Sequence, residues 1–257
     1  MLTLQAKHDR NMKKIASLAL LSAVLLTLAC GNKNIKEPQA ASIETPQHIS
    51  GDSLRFGLAC DGSNDTILVV LRNIYGNPDT FNILDATRRH HVFGHPSVGD
   101  RIALYLDTDS TTARMAVDLD QLCGQWCYEV RPTLRKRADI TAQMQQQFLK
   151  QMPDSLRDSL FAPREYGFTL KPDGTARPIG MHFETEETPV EYPAPKRYGQ
   201  WYLHNGQLIL STVGTDSLGN HIVTGQDTAT FVRMRRDTLV LRFADGDKGF
   251  YRKNDVE

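Results

Sequence analysis

From Glu165 to Lys253 the chain reverses direction repeatedly, because short runs of alternating apolar and polar residues are interrupted by turn formers. Alternation with a period of two puts one set of side chains on a buried face and the other in water. That is the pattern of a half-buried strand, and it argues against a helix over the same residues. Lys171, Pro172, Asp173 and Gly174 make the first reversal; proline presets φ, aspartate bonds locally to backbone and glycine accepts positive φ. His204, Asn205 and Gly206 make the second, and the Asn-Gly pair is a strong hairpin signal joining runs 198–203 and 207–213. Residues 217–220 turn the chain again, runs 228–234 and 238–243 flank Arg235, Arg236 and Asp237, and run 248–253 ends the series. With a further strand at 122–130, the segment 119–257 is expected to hold roughly eight or nine antiparallel strands, enough to close as an up-and-down barrel.

The preceding segment, 51–118, also consists of β-prone runs, at 54–60, 66–71, 80–84, 101–107 and 113–119. Asp61, Gly62, Ser63, Asn64 and Asp65 suit a hairpin loop, and His95 to Asp100 with Pro96 and Gly99 suit a second turn. The segment resembles small closed β-domains of OB or SH3 type. The expected fold class is therefore all-β, a small barrel followed by a larger one with a short helical insertion. His90, His91 and His95 lie close in sequence, but adjacent residues of a strand face opposite ways and Pro96 sets His95 apart, so they read as solvent-facing and no metal site is expected. Arg88 and Arg89 beside them read as a charged strand edge.

At the amino terminus Lys13 and Lys14 precede an apolar run, 15–29, that ends at Cys30. The run is shorter than the roughly 20 residues of a spanning helix and reads as a signal peptide, 1–29, with Met12 as the expected initiator. Leu26, Thr27, Leu28, Ala29 and Cys30 resemble the lipobox of bacterial lipoproteins. The resemblance implies cleavage before Cys30, acylation of its thiol and a membrane partner reached through lipid rather than through a helix. Gly31 after the cysteine implies the outer membrane, and the lack of a following acidic cluster implies its periplasmic face rather than the cell surface. Residues 30–50 are polar, contain Pro38 and Pro46 and read as a tether.

Gly124, one residue, then Trp126 opens the first strand of segment 119–257. This resembles the first-strand signature of lipocalins, and the order of the later elements agrees with lipocalin-like lipoproteins of Bacteroidetes. The resemblance implies that a basic residue of the last strand, Arg252, packs over Trp126; a guanidinium over an indole contributes on the order of 0.5 to 2 kcal/mol. It also implies an apolar ligand site whose candidate lining is Trp126, Phe168 and Trp201. Between the first two strands, Ile140, Met144, Phe148 and Met152 recur every four residues, the stripe of an amphipathic helix over 138–152 expected to pack as a lid on the barrel, with Leu156 and Leu160 adding a further turn.

No catalytic constellation emerges. The acidic run Glu184, Glu186, Glu187 and Glu191 ends at prolines and reads as a solvated loop, and phosphate-loop, serine-elbow and zinc-protease spacings are missing. Cys123 and Cys127 are too far apart along one strand to pair, which leaves open a bridge from either to Cys60. With 30 basic and 30 acidic residues the net charge is zero, so no global field steers the chain to nucleic acid, and no cofactor is implied. The sequence points to a non-catalytic envelope protein that binds a small apolar ligand or a partner protein; the alternative is a structural accessory with a filled barrel that binds an envelope protein.

Overall fold

A computed structural model describes residues 53–135, 141–180 and 189–253. The chain begins with strands β1 (Leu54–Ala59), β2 (Ile67–Leu71) and β3 (Asp79–Asn82), then helix α1 (Leu84–Arg88), and β4 (Val92–Phe93), β5 (Arg101–Leu106) and β6 (Ala113–Asp118). They form one six-stranded sheet in the order β3-β2-β1-β5-β6-β4, antiparallel except for the parallel pair β4 and β6. A parallel bridge from Asn82 to Thr112 and a 2.9 Å bond from the Asn82 amide to the Thr111 carbonyl bring β3 back towards β6. The sheet curls around its own small core, which includes Leu68, Val70, Phe81, Ile102 and Leu104, with Ala86 of α1 placed against it.

A four-residue helix, α2 (Leu119–Leu122), leads out of β6, its amide end capped by the Asp118 side chain. The remaining strands are β7 (Gly124–Val130), β8 (Thr133–Leu134), β9 (Arg164–Leu170), β10 (Ala176–Ile179), β11 (Val190–Glu191), β12 (Tyr198–His204), β13 (Gln207–Thr215), β14 (His221–Met234), β15 (Thr238–Phe243) and β16 (Gly246–Lys253). Eight of them make a nearly closed antiparallel barrel, ordered β10-β9-β7-β16-β15-β14-β13-β12, while β8 and β11 pair apart from it. Where β10 and β12 meet, closure depends on few bonds. Gln200 bridges Thr175, the Trp201 amide donates to the Gly174 carbonyl at 2.8 Å, and the Trp201 indole donates to Lys171 at 2.9 Å. Asn205 and Gly206 both have positive φ, 48° and 76°, as a two-residue hairpin with the sheet's own twist requires. At Gly167 a Cβ would lie 1.9 Å from the Trp126 carbonyl oxygen, so only glycine lets β9 pass β7 there.

Antiparallel register sorts the turns into two ends. Helix α2, the Lys171–Gly174 turn, the Asn205–Gly206 turn and Arg235–Asp237 share one end; the Ser217–Gly219 turn and the β15–β16 turn share the other. The six-stranded sheet covers the first of these. Phe93 packs on Phe231 with ring centroids 5.1 Å apart, and Phe93, Ala103, Met115, Val117 and Leu119 belong to the same buried cluster as the barrel interior.

Several expectations change. Helices α1 and α2 and strand β4 were not foreseen, and β14 starts at His221, seven residues before the expected 228. The insertion contains α3 (Ala142–Gln151), capped by Thr141, and α4 (Asp154–Leu160) after Pro153. The stripe is not a packed lid: Met144 and Phe148 are 55% and 51% exposed, and Met152 alone of the described stripe residues is buried. Helical spacing of apolar residues specifies a face but not what covers it. Ala138 and Ile140 lie outside the described residues, as do the signal segment, Cys30 and the tether.

Candidate functional site

At the covered end of the barrel, Gly124, Trp126 and Arg252 come together. Arg252 pairs with Trp126 across β16 and β7, and its guanidinium carbon lies 4.4 Å from the centre of the indole. The remaining donors of the fork meet backbone: Nε reaches the Arg236 carbonyl at 2.7 Å, Nη1 the Cys123 carbonyl at 2.9 Å, and Nη2 the Gln121 carbonyl. These carbonyls close α2 and the β14–β15 turn, where a cation and orphan acceptors satisfy one another. Burial pulls the Arg252 pKa down. Gly124 has φ 136°, and a Cβ there would sit 2.3 Å from Arg252 Nη1. The glycine before the tryptophan is thus explained by the arginine fitting against its backbone. The Trp126 indole donates to the Leu122 carbonyl at 2.7 Å.

Beneath α2 lies a less comfortable group. Asp118 is fully buried; one oxygen accepts from the Gln121 amide at 2.9 Å, and the other has no hydrogen-bond partner among the described residues. Burial raises its pKa to about 6.

Inside the barrel, aromatic rings run in a chain. Tyr166 meets Tyr128 edge-on at 6.4 Å, Tyr128 meets Phe250 at 5.5 Å, Phe250 meets Phe168 at 5.1 Å, and Phe168 meets Tyr198 at 5.9 Å. Leu203, Leu208, Leu210, Leu239 and Leu241 fill the space beside them. Trp126, Phe168 and Trp201 are 0%, 2% and 2% exposed. A ligand-sized cavity would be reached by water and would appear as accessible surface on its lining, so this part of the interior is packed solid. Three surface clefts lined by described residues lie elsewhere.

Towards the other end the interior becomes polar. The Tyr198 hydroxyl donates to Asp227 at 2.6 Å over the intervening β13, and Lys196 lies 3.1 Å from the same carboxylate. Burial, with the carboxylate beside it, drives the Tyr198 pKa strongly up, so the phenol stays a donor. The Tyr166 hydroxyl is buried without a hydrogen-bond partner among the described residues. Beyond this rim, β13 and β14 continue as a two-stranded ribbon, with Leu218 at its tip 85% exposed and Ile222 and Val223 also in water.

Cys60, Cys123 and Cys127 are all free thiols, so the cross-module bridge does not form. Cys123 precedes β7 rather than lying in it, and burial raises its thiol to about pKa 11, which makes it a poor nucleophile. His90, His91 and His95 are exposed, and no metal-holding group occurs among the described residues. Glu184, Glu186 and Glu187 lie outside the described residues; Glu191 is exposed in β11. No described helix is long and apolar enough to cross a membrane. The chain matches no known protein-family model, no curated protein and no solved structure.

Proposed function

We propose that this chain is a non-catalytic, lipid-anchored accessory protein of the outer membrane, facing the periplasm, whose solid lipocalin-like barrel presents surfaces to an envelope protein. The carrying observation is the inaccessibility of Trp126, Phe168 and Trp201, which leaves no room among them for the apolar ligand that the family resemblance implies. Kinship with lipocalins is supported by the strand order of the barrel and by Arg252 seated over Trp126 behind Gly124. Anchorage is supported by the apolar run ending at Cys30. A role in interaction is supported by apolar side chains left in water at Leu218, Ile222 and Val223 and at Met144 and Phe148, since a folded chain seldom exposes such groups together without a use for them.

Titration with N-phenyl-1-naphthylamine, an uncharged apolar dye, tests the filled interior. The natural protein is expected to give no saturable fluorescence gain, whereas Phe168→Ala opens space and does. Saturable binding by the natural protein, competed by fatty alcohols and lost in Phe168→Trp, would return the barrel to ligand carriage. Labelling cells with a palmitate analogue tests the anchor, and equal labelling of the natural chain and Cys30→Ala would refute it.

A further inference from the structure

Outside the barrel interior, a basic cleft is assembled from two distant stretches of sequence. The segment after α1 supplies His90 and His95, and the end of β14 with its following turn supplies Arg233 and Arg235; together they line a cleft of about 620 Å³. The fold joins them because β4 reaches across to β14. Phe93 packs on Phe231, and the Gly94 amide donates to the Met234 carbonyl at 3.4 Å.

The two arginines differ from several others on the described surface. Arg72 pairs with Asp79, Arg114 with Asp107 and Arg242 with Asp247, each at 2.5 or 2.6 Å. Arg233 and Arg235 are exposed and form no ion pair among the described residues, and Asp65 is the one carboxylate in the cleft lining. In a chain of zero net charge, unpaired cations facing one cleft mark a place where negative charge is welcome. The Thr87 hydroxyl, also in the lining, is buried and has no hydrogen-bond partner among the described residues. Ile83, Val92, Phe93, Val232 and Met234 supply apolar surface beside these groups. The volume is that of a small-molecule site, which spans roughly 300 to 1,000 Å³.

We propose that this cleft binds an anionic amphiphile, a molecule with a phosphate head for Arg233, Arg235 and the two imidazoles and an apolar body for the Phe93 and Met234 side. Guanidinium suits such a head because its planar donors meet two phosphate oxygens at once. The head belongs either to a membrane lipid or to a diffusible phosphate ester. The site is separate from the barrel interior and stands whether or not the interior is filled.

Calorimetric titration of the full-length protein in nonionic detergent with hexyl phosphate is the test. One-to-one binding is expected, weakened about tenfold or more by Arg233→Gln with Arg235→Gln, as befits the loss of two charge-assisted contacts. Arg177→Gln, an exposed change on β10, is expected to leave it unchanged. Both cleft arginines are exposed and in no ion pair among the described residues, so the double variant should keep the natural thermal midpoint. Competition by phosphatidylglycerol in mixed micelles would assign the head to a lipid, and its absence to a diffusible ester; both support the site. Equal affinity of the natural and double-variant proteins, or inorganic phosphate or hexanol binding as tightly as hexyl phosphate, would overturn the proposal.

Discussion

The two ends of the barrel solve opposite problems. At the covered end, Arg252, Gly124, Trp126 and Leu122 satisfy one another through backbone carbonyls, and the six-stranded sheet excludes water above them. At the far end, the polar pair Tyr198 and Asp227 closes the packed interior, and β13 and β14 run on past their neighbours into solvent. In the first arrangement the Arg252 fork and the Trp126 indole are bonded to backbone within the protein. The second leaves apolar side chains and unpaired strand edges in water, which is where an interaction would gain most.

Mutations at the two poles should differ accordingly. Trp126→Ala removes the largest fully buried side chain of the covered end and should cost about 3–5 kcal/mol in denaturant unfolding, enough to leave much of the chain unfolded. A loss below about 1 kcal/mol would mean that the covered end is not the keystone described. Arg252→Met keeps much of the bulk but strands carbonyls of Gln121, Cys123 and Arg236, and about 2–3 kcal/mol is expected. Arg252→Lys should recover less than half of this, because an ammonium cannot reproduce the planar fork.

Asp118 gives the covered end a pH signature. Its folded pKa of about 6 lies above the ordinary 3.8, so its contribution is most favourable below about pH 3.8 and is lost as pH rises to about 6. Asp118→Asn keeps an N-cap without the charge. Its advantage in unfolding free energy over the natural protein, read from denaturant unfolding, should grow between pH 4 and pH 6 and then level off, reaching roughly 2–3 kcal/mol. A difference that does not change with pH would show that the carboxyl is not the titrating group.

At the far end the effects should be smaller. Tyr198→Phe removes one hydrogen bond while Lys196 remains beside Asp227, and a loss of about 1 kcal/mol by the same unfolding measurement is expected. Leu218→Ser should change stability by less than about 0.5 kcal/mol. Its effect should appear instead in photo-crosslinking from neighbouring Ser217 in native membranes, as loss of a discrete adduct. If Leu218→Ser destabilised the fold more than Tyr198→Phe, the division between the two poles would fail.

Much of the all-β fold was legible because half-burial writes itself into sequence. The run 238–243 coincides with β15, the five strands foreseen in 51–118 all form within a residue or two, and Asn205–Gly206 turns as its chemistry demands. The start of β14 was illegible for the complementary reason. His221 to Gln226 are exposed on both faces, so nothing selects an alternation of apolar and polar residues there. Helix α1 and strand β4 are too short to carry any period, and β4 exists only because β6 and Met234 give its backbone partners. The candidate site was half legible. Gly124, Trp126 and Arg252 were named from their pattern, but whether Phe168 and Trp201 line a space or fill it depends on how side chains from eight strands meet.

By itself, then, the sequence determined which stretches are strands, where they turn and which residues bracket the first and last strands of the barrel. These follow from local propensity and from the contrast between buried and wet faces along the chain. Tertiary structure alone decided that the barrel interior is filled around Trp126, Phe168 and Trp201, that Asp118 is buried with one oxygen unanswered among the described residues, that the helical stripe of Met144 and Phe148 stays in water, and that Arg233 and Arg235 meet His90 and His95 around one cleft. Each depends on contacts between residues far apart in sequence, and one-dimensional pattern carries no record of such distances.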